Sequence, residues 1–291
     1  MTVHGVLRHV LADEVARLAR AIENDLRSPR NAPDAPRGFP DSKDAINPGL
    51  LLHRLWLGAD RSEVQTALRE AHLRAVATAC RKLPGDLLDA VHARRAAAAA
   101  ALAARNPQWT WHALLITPMW RLVVGHGEDS VHETGLTLSP TYGVPVVPAA
   151  ALKGLAAAAA RETGWSDLDT TLFGAPRPGQ GSAADRGSVV IWDGLPIEPP
   201  TLVLDVLTPH VKDYYEDSKS PRRVAPAEYH SPVPIRFLAV EKTSFRCYLI
   251  GSPADVTRCA ELINIGLDEL GIGGKTAAGY GYCAPPEEEL S

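Results

Sequence analysis

Cysteine is scarce and scattered in this 291-residue sequence: Cys80, Cys247, Cys259 and Cys283 form no CxxC pair and have no histidine at zinc-finger spacing. That pattern argues against a zinc site or a disulfide framework and suits reduced thiols in a cytoplasm. The start, MTVHGVLRHVLADEVARLAR, lacks a basic segment followed by an apolar one, and no apolar run approaches the roughly 18 residues needed to span a bilayer. A cytoplasmic protein without a membrane segment is expected. An excess of positive charge is missing too, with Lys+Arg 30 against Asp+Glu 34, so any nucleic-acid site must be a local patch. GxSxG is absent, which removes the usual serine-hydrolase signature.

What is present is a 45% hydrophobic share, enough for a substantial core. The first third reads as helical. Leu11, Val15, Leu18, Ile22 and Leu26 fall on one face until Ser28-Pro29, and a proline-rich loop, SPRNAPDAPRGFPDSKDAINP, follows. A second helix is predicted over Ser62 to Lys82, with Val64, Leu68, Ala71, Ala75 and Ala79 on one stripe. A third is capped at Asp86, contains RRAAAAAALAAR and ends at Asn106-Pro107.

From Trp109 the texture changes. WHALLITPMWRLVVGHG reads as a long strand, PAAALKGLAAAAARETG as a helix from about Ala149, and SVVIWDGLPI and LVLDVLTPH as strands. IRFLAVEKTSFRCYLIG has the two apolar runs and polar middle of a β-hairpin. SPADVTRCAELINIGLDELG is an amphipathic helix opening on Ser252-Pro253, with Val256, Cys259, Leu262, Ile263 and Leu267 on one side. The order approximates β-α-β-β-α-β, so the fold class expected is α+β with a ferredoxin-like core. The expected division is a helical N-terminal extension over 1–107, the core over 108–284 and a charged tail over 285–291.

The chemistry concentrates after that last helix. Gly271, Gly273, Gly279 and Gly281 form G-h-G-x5-G-h-G, with Ile272 and Tyr280 at the h positions. Such glycines, Gly274 among the loop's residues, allow positive φ and close backbone approach, so the loop can present N–H groups to phosphate oxygens, while Lys275 supplies a point charge, Thr276 a hydroxyl and Tyr280 a stacking face. GGKT also ends a P-loop motif, but that motif would need glycine at 269, where Glu269 stands, and a helix precedes the loop instead of following it. From spacing alone, a purely structural turn between helix and strand fits the same residues.

The G-h-G-x5-G-h-G loop behind an amphipathic helix resembles the signature of the RAMP superfamily of CRISPR systems. GVPVVPAAALKGL, DVLTPHVKDYYED, HSPVPIRFLAV and GIGGKTAAGYG look, in order and spacing, like successive motifs of the subunit-six family of the type III-B Cmr effector complex. The likeness spans about residues 110 to 283. One departure is Ala149, Ala150 and Ala151, where the family has glycine and serines before a Lys-Gly pair, here Lys153 and Gly154. The resemblance implies a non-catalytic RNA-binding subunit that caps the subunit backbone, contacts the 3′ part of the guide RNA or its duplex with target RNA, and docks on Cmr subunits one, four and five. Lys153, Gly154 and the glycine loop are the RNA-binding residues it implies.

A second rank of contacts to RNA or partner lies in TPHVKDYYEDSKSPRR, where His210, Tyr214 and Tyr215 interleave with Lys212, Arg222 and Arg223. The acids Asp213, Glu216 and Asp217 fit a docking loop equally. The loop GHGEDSVHETG gathers His126, Glu128, Asp129, His132 and Glu133, yet HExxH fails because Leu136 stands where the second histidine belongs, so no metal and no cofactor are expected. The alternative to a non-catalytic role is a metal-independent endoribonuclease on the same fold that processes guide RNA. Its base would come from His126, His132 or His210.

Overall fold

The computed structural model describes residues 2–4, 47–54, 56–58, 62–127, 130, 134–165, 171–174, 186–208 and 234–284. The predicted helix over Leu11–Leu26, the proline-rich loop up to Ile46, the second-rank segment from Pro209 onward and the charged tail lie outside these residues. A short strand β1 (Thr2–His4) pairs antiparallel with β2 (Trp56–Gly58), and α1 (Pro48–Arg54), α2 (Ser62–Arg81) and α3 (Gly85–Ala103) complete the described part of the first third.

The remainder is a mixed helix and antiparallel-sheet structure. Its strands are β3 (Thr110–Ile116), β4 (Arg121–Leu122), β5 (Val190–Ile191), β6 (Leu195–Pro196), β7 (Thr201–Leu207), β8 (Ile235–Glu241) and β9 (Phe245–Gly251), with helices α4 (Ala149–Glu162) and α5 (Pro253–Glu269). The predicted β-hairpin over IRFLAVEKTSFRCYLIG is corrected by the pairing. β8 and β9 do not pair with each other: β8 lies between β4 and β7, and β9 between β3 and β5–β6.

Register explains why. β3 pairs with β9 from Thr110↔Gly251 to Ile116↔Phe245, and β4 with β8 as Arg121↔Glu241 and Leu122↔Val240. Thr117, Pro118, Met119 and Trp120 therefore oppose Lys242, Thr243 and Ser244, which is one extra residue and hence a β-bulge. The polar middle EKTS is a kink in one bent strand running from Ile235 to Gly251, not a turn between two. Lys242 adopts φ 49° there. The other edge behaves alike, since Ile197, Glu198, Pro199 and Pro200 oppose the same three residues between Pro196↔Phe245 and Thr201↔Glu241. The long strand expected over 111–127 is likewise broken at Pro118, which has no N–H for the ladder.

A last extended segment runs beside the kink on the outer edge. Met119 N–H donates to the Tyr282 carbonyl (2.9 Å), Gly281 N–H to Arg121 (2.8 Å) and Ala284 N–H to Thr117 (3.0 Å), and Pro118 bridges Cys283 antiparallel. Across the sheet the order is thus 281–284, 110–122, 235–251, 190–207.

Helices cover both faces. α4 and α5 pack together on one, where Leu152, Leu155, Cys259, Leu262 and Ile263 meet Phe245, Cys247 and Leu249. Gly266 lets them come close, because a Cβ there would lie 2.6 Å from Leu155 Cγ. α5 begins as its sequence predicts, with Ser252 accepting from Asp255 N–H (3.2 Å) and proline in the first turn. α3 covers the opposite face, setting Ala99 and Ala103 against Tyr248 and Ile250. The tyrosine hydroxyl donates to the His92 carbonyl (3.2 Å). The alanine run that has little apolar surface to bury is what fits under a large ring. α2 adds Leu73, Val76, Ala77 and Cys80 to the main core beside Leu238 and Val240.

Candidate nucleic-acid interface

The glycine loop is built by its backbone. Gly271 (φ 71°), Gly273 (φ 90°), Gly279 (φ 88°) and Gly281 (φ 76°) all occupy the left-handed region that favours glycine. At two of them the need is also one of space: a Cβ on Gly281 would lie 1.9 Å from the Ile272 carbonyl oxygen, and one on Gly273 2.3 Å from that of Val123. These close approaches let Ile272 N–H donate to Gly281 (2.9 Å) and Gly274 N–H to Val123 (2.7 Å). The loop is stitched to itself and to the segment after β4, so the structural role weighed from spacing is real. The crest is different: Ala277, Ala278 and Gly279 are exposed, and a Cβ on Gly279 would meet nothing within 4 Å.

Lys275 opens the 3-10 turn Thr276–Ala278 with φ 63°, and its Nζ lies 5.3 Å from the Phe237 ring centroid. No carboxylate pairs with it among the described residues. Thr276 is half-buried. Tyr280 occupies a place its sequence position does not reveal. Its ring is 7% exposed, packed against Phe237 (centroids 6.2 Å) and Trp120 (4.9 Å), so it has no free face for a base. Its hydroxyl donates to Asp205 Oδ2 (2.6 Å), which also accepts from Arg121 Nη1 (2.5 Å), while Arg121 Nε donates to Glu241 Oε1 (3.1 Å).

The charges in this knot respond accordingly. Burial alone would raise the Asp205 pKa, but the Tyr280 hydroxyl, the Val206 N–H and Arg121 outweigh it and hold the carboxyl below its usual range. Burial and the adjoining carboxylate push Tyr280 up to about 12. Arg121 is held more firmly protonated than usual, since its two carboxylates outweigh its desolvation. His126 packs edge-on to Phe237 (5.2 Å), and burial first, then Lys275, lower its pKa. His132 and His210 lie outside the described residues, as do Glu128, Asp129 and Glu133. Among the described residues no group of three or more His, Cys, Asp or Glu could hold a metal, and no helix is long and apolar enough to cross a membrane.

Lys153 and Gly154 sit elsewhere, exposed on the first turns of α4. Lys153 lines an open cleft of about 260 Å³ with Ala149, Ala150, Phe173, Arg186 and the β5 residues. Where the resembling family has hydroxyls at this helix start, Ala149 N–H is instead capped by Asp193 Oδ1 (2.7 Å). The cleft shares no lining residue with the glycine loop, so the predicted site residues form two clusters. Sequence reasoning misses Arg186, Trp120, Arg121 and Asp205. Asp205 carried the clearest signal, a lone carboxylate inside the apolar strand TLVLDVL, which a fold accepts only with partners.

Three comparisons bear on this arrangement. The CRISPR system Cmr subunit Cmr6 of Pyrococcus furiosus is 28% identical over 218 residues, covering 55% of this chain and 64% of that protein, so the match spans under two thirds of the relative's length. In a cryo-EM structure of the type III-B Cmr-beta bound to cognate target RNA, one chain superposes with a TM-score of 0.55 at 17% identity, covering 93% of this chain and 89% of that one, a likeness of fold. The family model of the RAMP superfamily matches residues 113–284, more than half the sequence and nearly all of the bent sheet with α4, α5 and the glycine loop, and the chain belongs to that superfamily.

Proposed function

We propose that this chain is a non-catalytic, RNA-binding structural subunit of a type III-B CRISPR (Cmr) RNA-guided effector complex. It caps the backbone of subunits, contacts the 3′ part of the guide RNA or its duplex with target RNA, and docks on Cmr subunits one, four and five. The observation that carries the reading is the glycine loop: its flanks are locked to the sheet, while its crest offers small exposed residues and Lys275 free of any carboxylate among the described residues. A cation backed by the Phe237 ring and flanked by small exposed residues is placed to meet a phosphate. Lys153 and Arg186 on the cleft supply a second cationic point. The strand order 281–284, 110–122, 235–251, 190–207, each segment antiparallel to its neighbour, supports a ferredoxin-like core, with 1–107 as its N-terminal extension.

The test is co-purification of the full chain, wild type and with Lys153→Ala plus Lys275→Ala, from its host, sequencing the RNA that accompanies it. Guide RNA and Cmr partners should accompany the wild type, and the double variant should keep the partners and lose RNA by about 10-fold or more, as loss of two phosphate contacts predicts. Partners retained with unchanged RNA would make the chain a protein-only scaffold. Cleavage of repeat RNA by the purified wild type, abolished by changing His126, His132 or His210 to alanine, would favour the endoribonuclease alternative.

A further inference from the structure

We propose that Trp120 is a stacking platform for one unpaired RNA base at the edge of the glycine loop, an inference that rests on the RNA-binding reading above. The β-bulge places Met119 and Trp120 in the kink, and both are turned outward, 62% and 46% exposed. A half-exposed indole is a large apolar surface left to water, and here it is not a loose one. Tyr280 lies 4.9 Å from it, ring to ring, and the Arg121 guanidinium 5.0 Å from its centroid. Both supports end on one atom, Asp205 Oδ2, at 2.6 and 2.5 Å, so they approach the indole as a single half-buried buttress. Glu241 holds Arg121 from the other direction at 3.1 Å. The ring is thereby fixed before any ligand arrives, which lowers the ordering cost of binding.

Its surroundings fit a nucleotide. The contacts run from Trp120 through Tyr280 and Phe237 to Lys275, so a base on the indole has a cation for its backbone on the same side of the sheet. Between Lys275 and Tyr280 in the chain stand only Thr276 and the small, exposed Ala277, Ala278 and Gly279, with open space at Gly279. Asp205 and Glu241, the two acids tied to the buttress, are both engaged by Arg121 and do not face a phosphate unpaired. Stacking needs only a π-face on the base, so the platform accepts any of the four and requires it to be out of a duplex.

The experiment uses the reconstituted effector complex with guide or target RNA carrying 4-thiouridine at one position at a time. After irradiation, wild type should crosslink to the peptide containing Trp120 from one or two RNA positions. Trp120→Ala should reduce that crosslink about 5- to 100-fold, the range of one lost base stack, while Trp120→Phe retains most of it. If no position crosslinks there although the complex holds its RNA, the proposal is overturned. It is also overturned if Trp120→Ala releases a partner subunit and leaves the RNA crosslinks of the rest of the chain unchanged, since the indole is then a protein-docking residue. A wild-type complex without RNA fails the parent reading, and this one falls with it.

Discussion

At the scale of single residues, the glycine loop separates two requirements that its sequence presents as one. Gly279 and Gly281 share a left-handed backbone, but only Gly281 has a carbonyl oxygen where a Cβ would go. Gly279→Ala should cost about 1–2 kcal/mol, the left-handed penalty alone. Gly281→Ala should cost roughly 3 kcal/mol or more, in the range of backbone clashes that cannot relax. Urea midpoints of the two variants check this, and equal losses would contradict the packing described. The G-h-G-x5-G-h-G spacing makes the loop legible in the sequence. What the spacing hides is Tyr280: a tyrosine between two glycines reads as exposed, and only its ring packing on Phe237 and its bond to Asp205 make it a core residue.

At the scale of elements, the positions of α2 to α5 follow from local signals, although Pro84 and not the expected Asp86 caps α3, and strand partners do not. The helix at Ala149 and the cap at Ser252 are where apolar periodicity and side-chain capping put them. IRFLAVEKTSFRCYLIG has the alternation of two strands, yet whether its polar middle turns back or merely bends depends on residues 110–122 and 190–207 lying alongside. No local pattern holds that information. The alanine-rich α3 shows the same dependence, since Ala99 is wholly buried because Tyr248 sits above it. Ala99→Leu, neutral for an isolated helix, should destabilise the protein by about 1–3 kcal/mol through overpacking. Thermal unfolding of that variant beside Ala98→Leu tests it, because Ala98 is exposed on the same helix.

At the scale of the whole molecule, buried histidine couples the fold to pH. His72 is 1% exposed between α2 and the core, and burial lowers its pKa to about 4, with a hydrogen bond to the Leu51 backbone acting weakly in the opposite sense. Unfolded, it titrates near about 6.5. Between those values the unfolded chain binds the extra proton, so the contribution is complete above about pH 6.5 and is lost as pH falls toward 4, by up to about 3 kcal/mol. His92 and His126 are shifted the same way by burial. Asp205 is depressed, so its share is present above about pH 3.9 and is lost only below that. His72→Leu should flatten urea stability between pH 6.5 and 4 by His72's share, leaving the steeper acid loss in place. An unchanged slope would mean that His72 is already protonated in the fold. The same scale sets what could be known beforehand. The sequence by itself determined α2 to α5, the strand-forming runs after Trp109 and the glycine loop, because these rest on periodicity, capping and spacing within a few residues, and its motifs carried the resemblance to the superfamily. Only the tertiary structure decided that two long strands bend together at a bulge, that Tyr280 is buried while Trp120 stands out, and that Lys153 and Lys275 belong to separate clusters. Those outcomes depend on contacts between segments tens of residues apart, which no local pattern encodes.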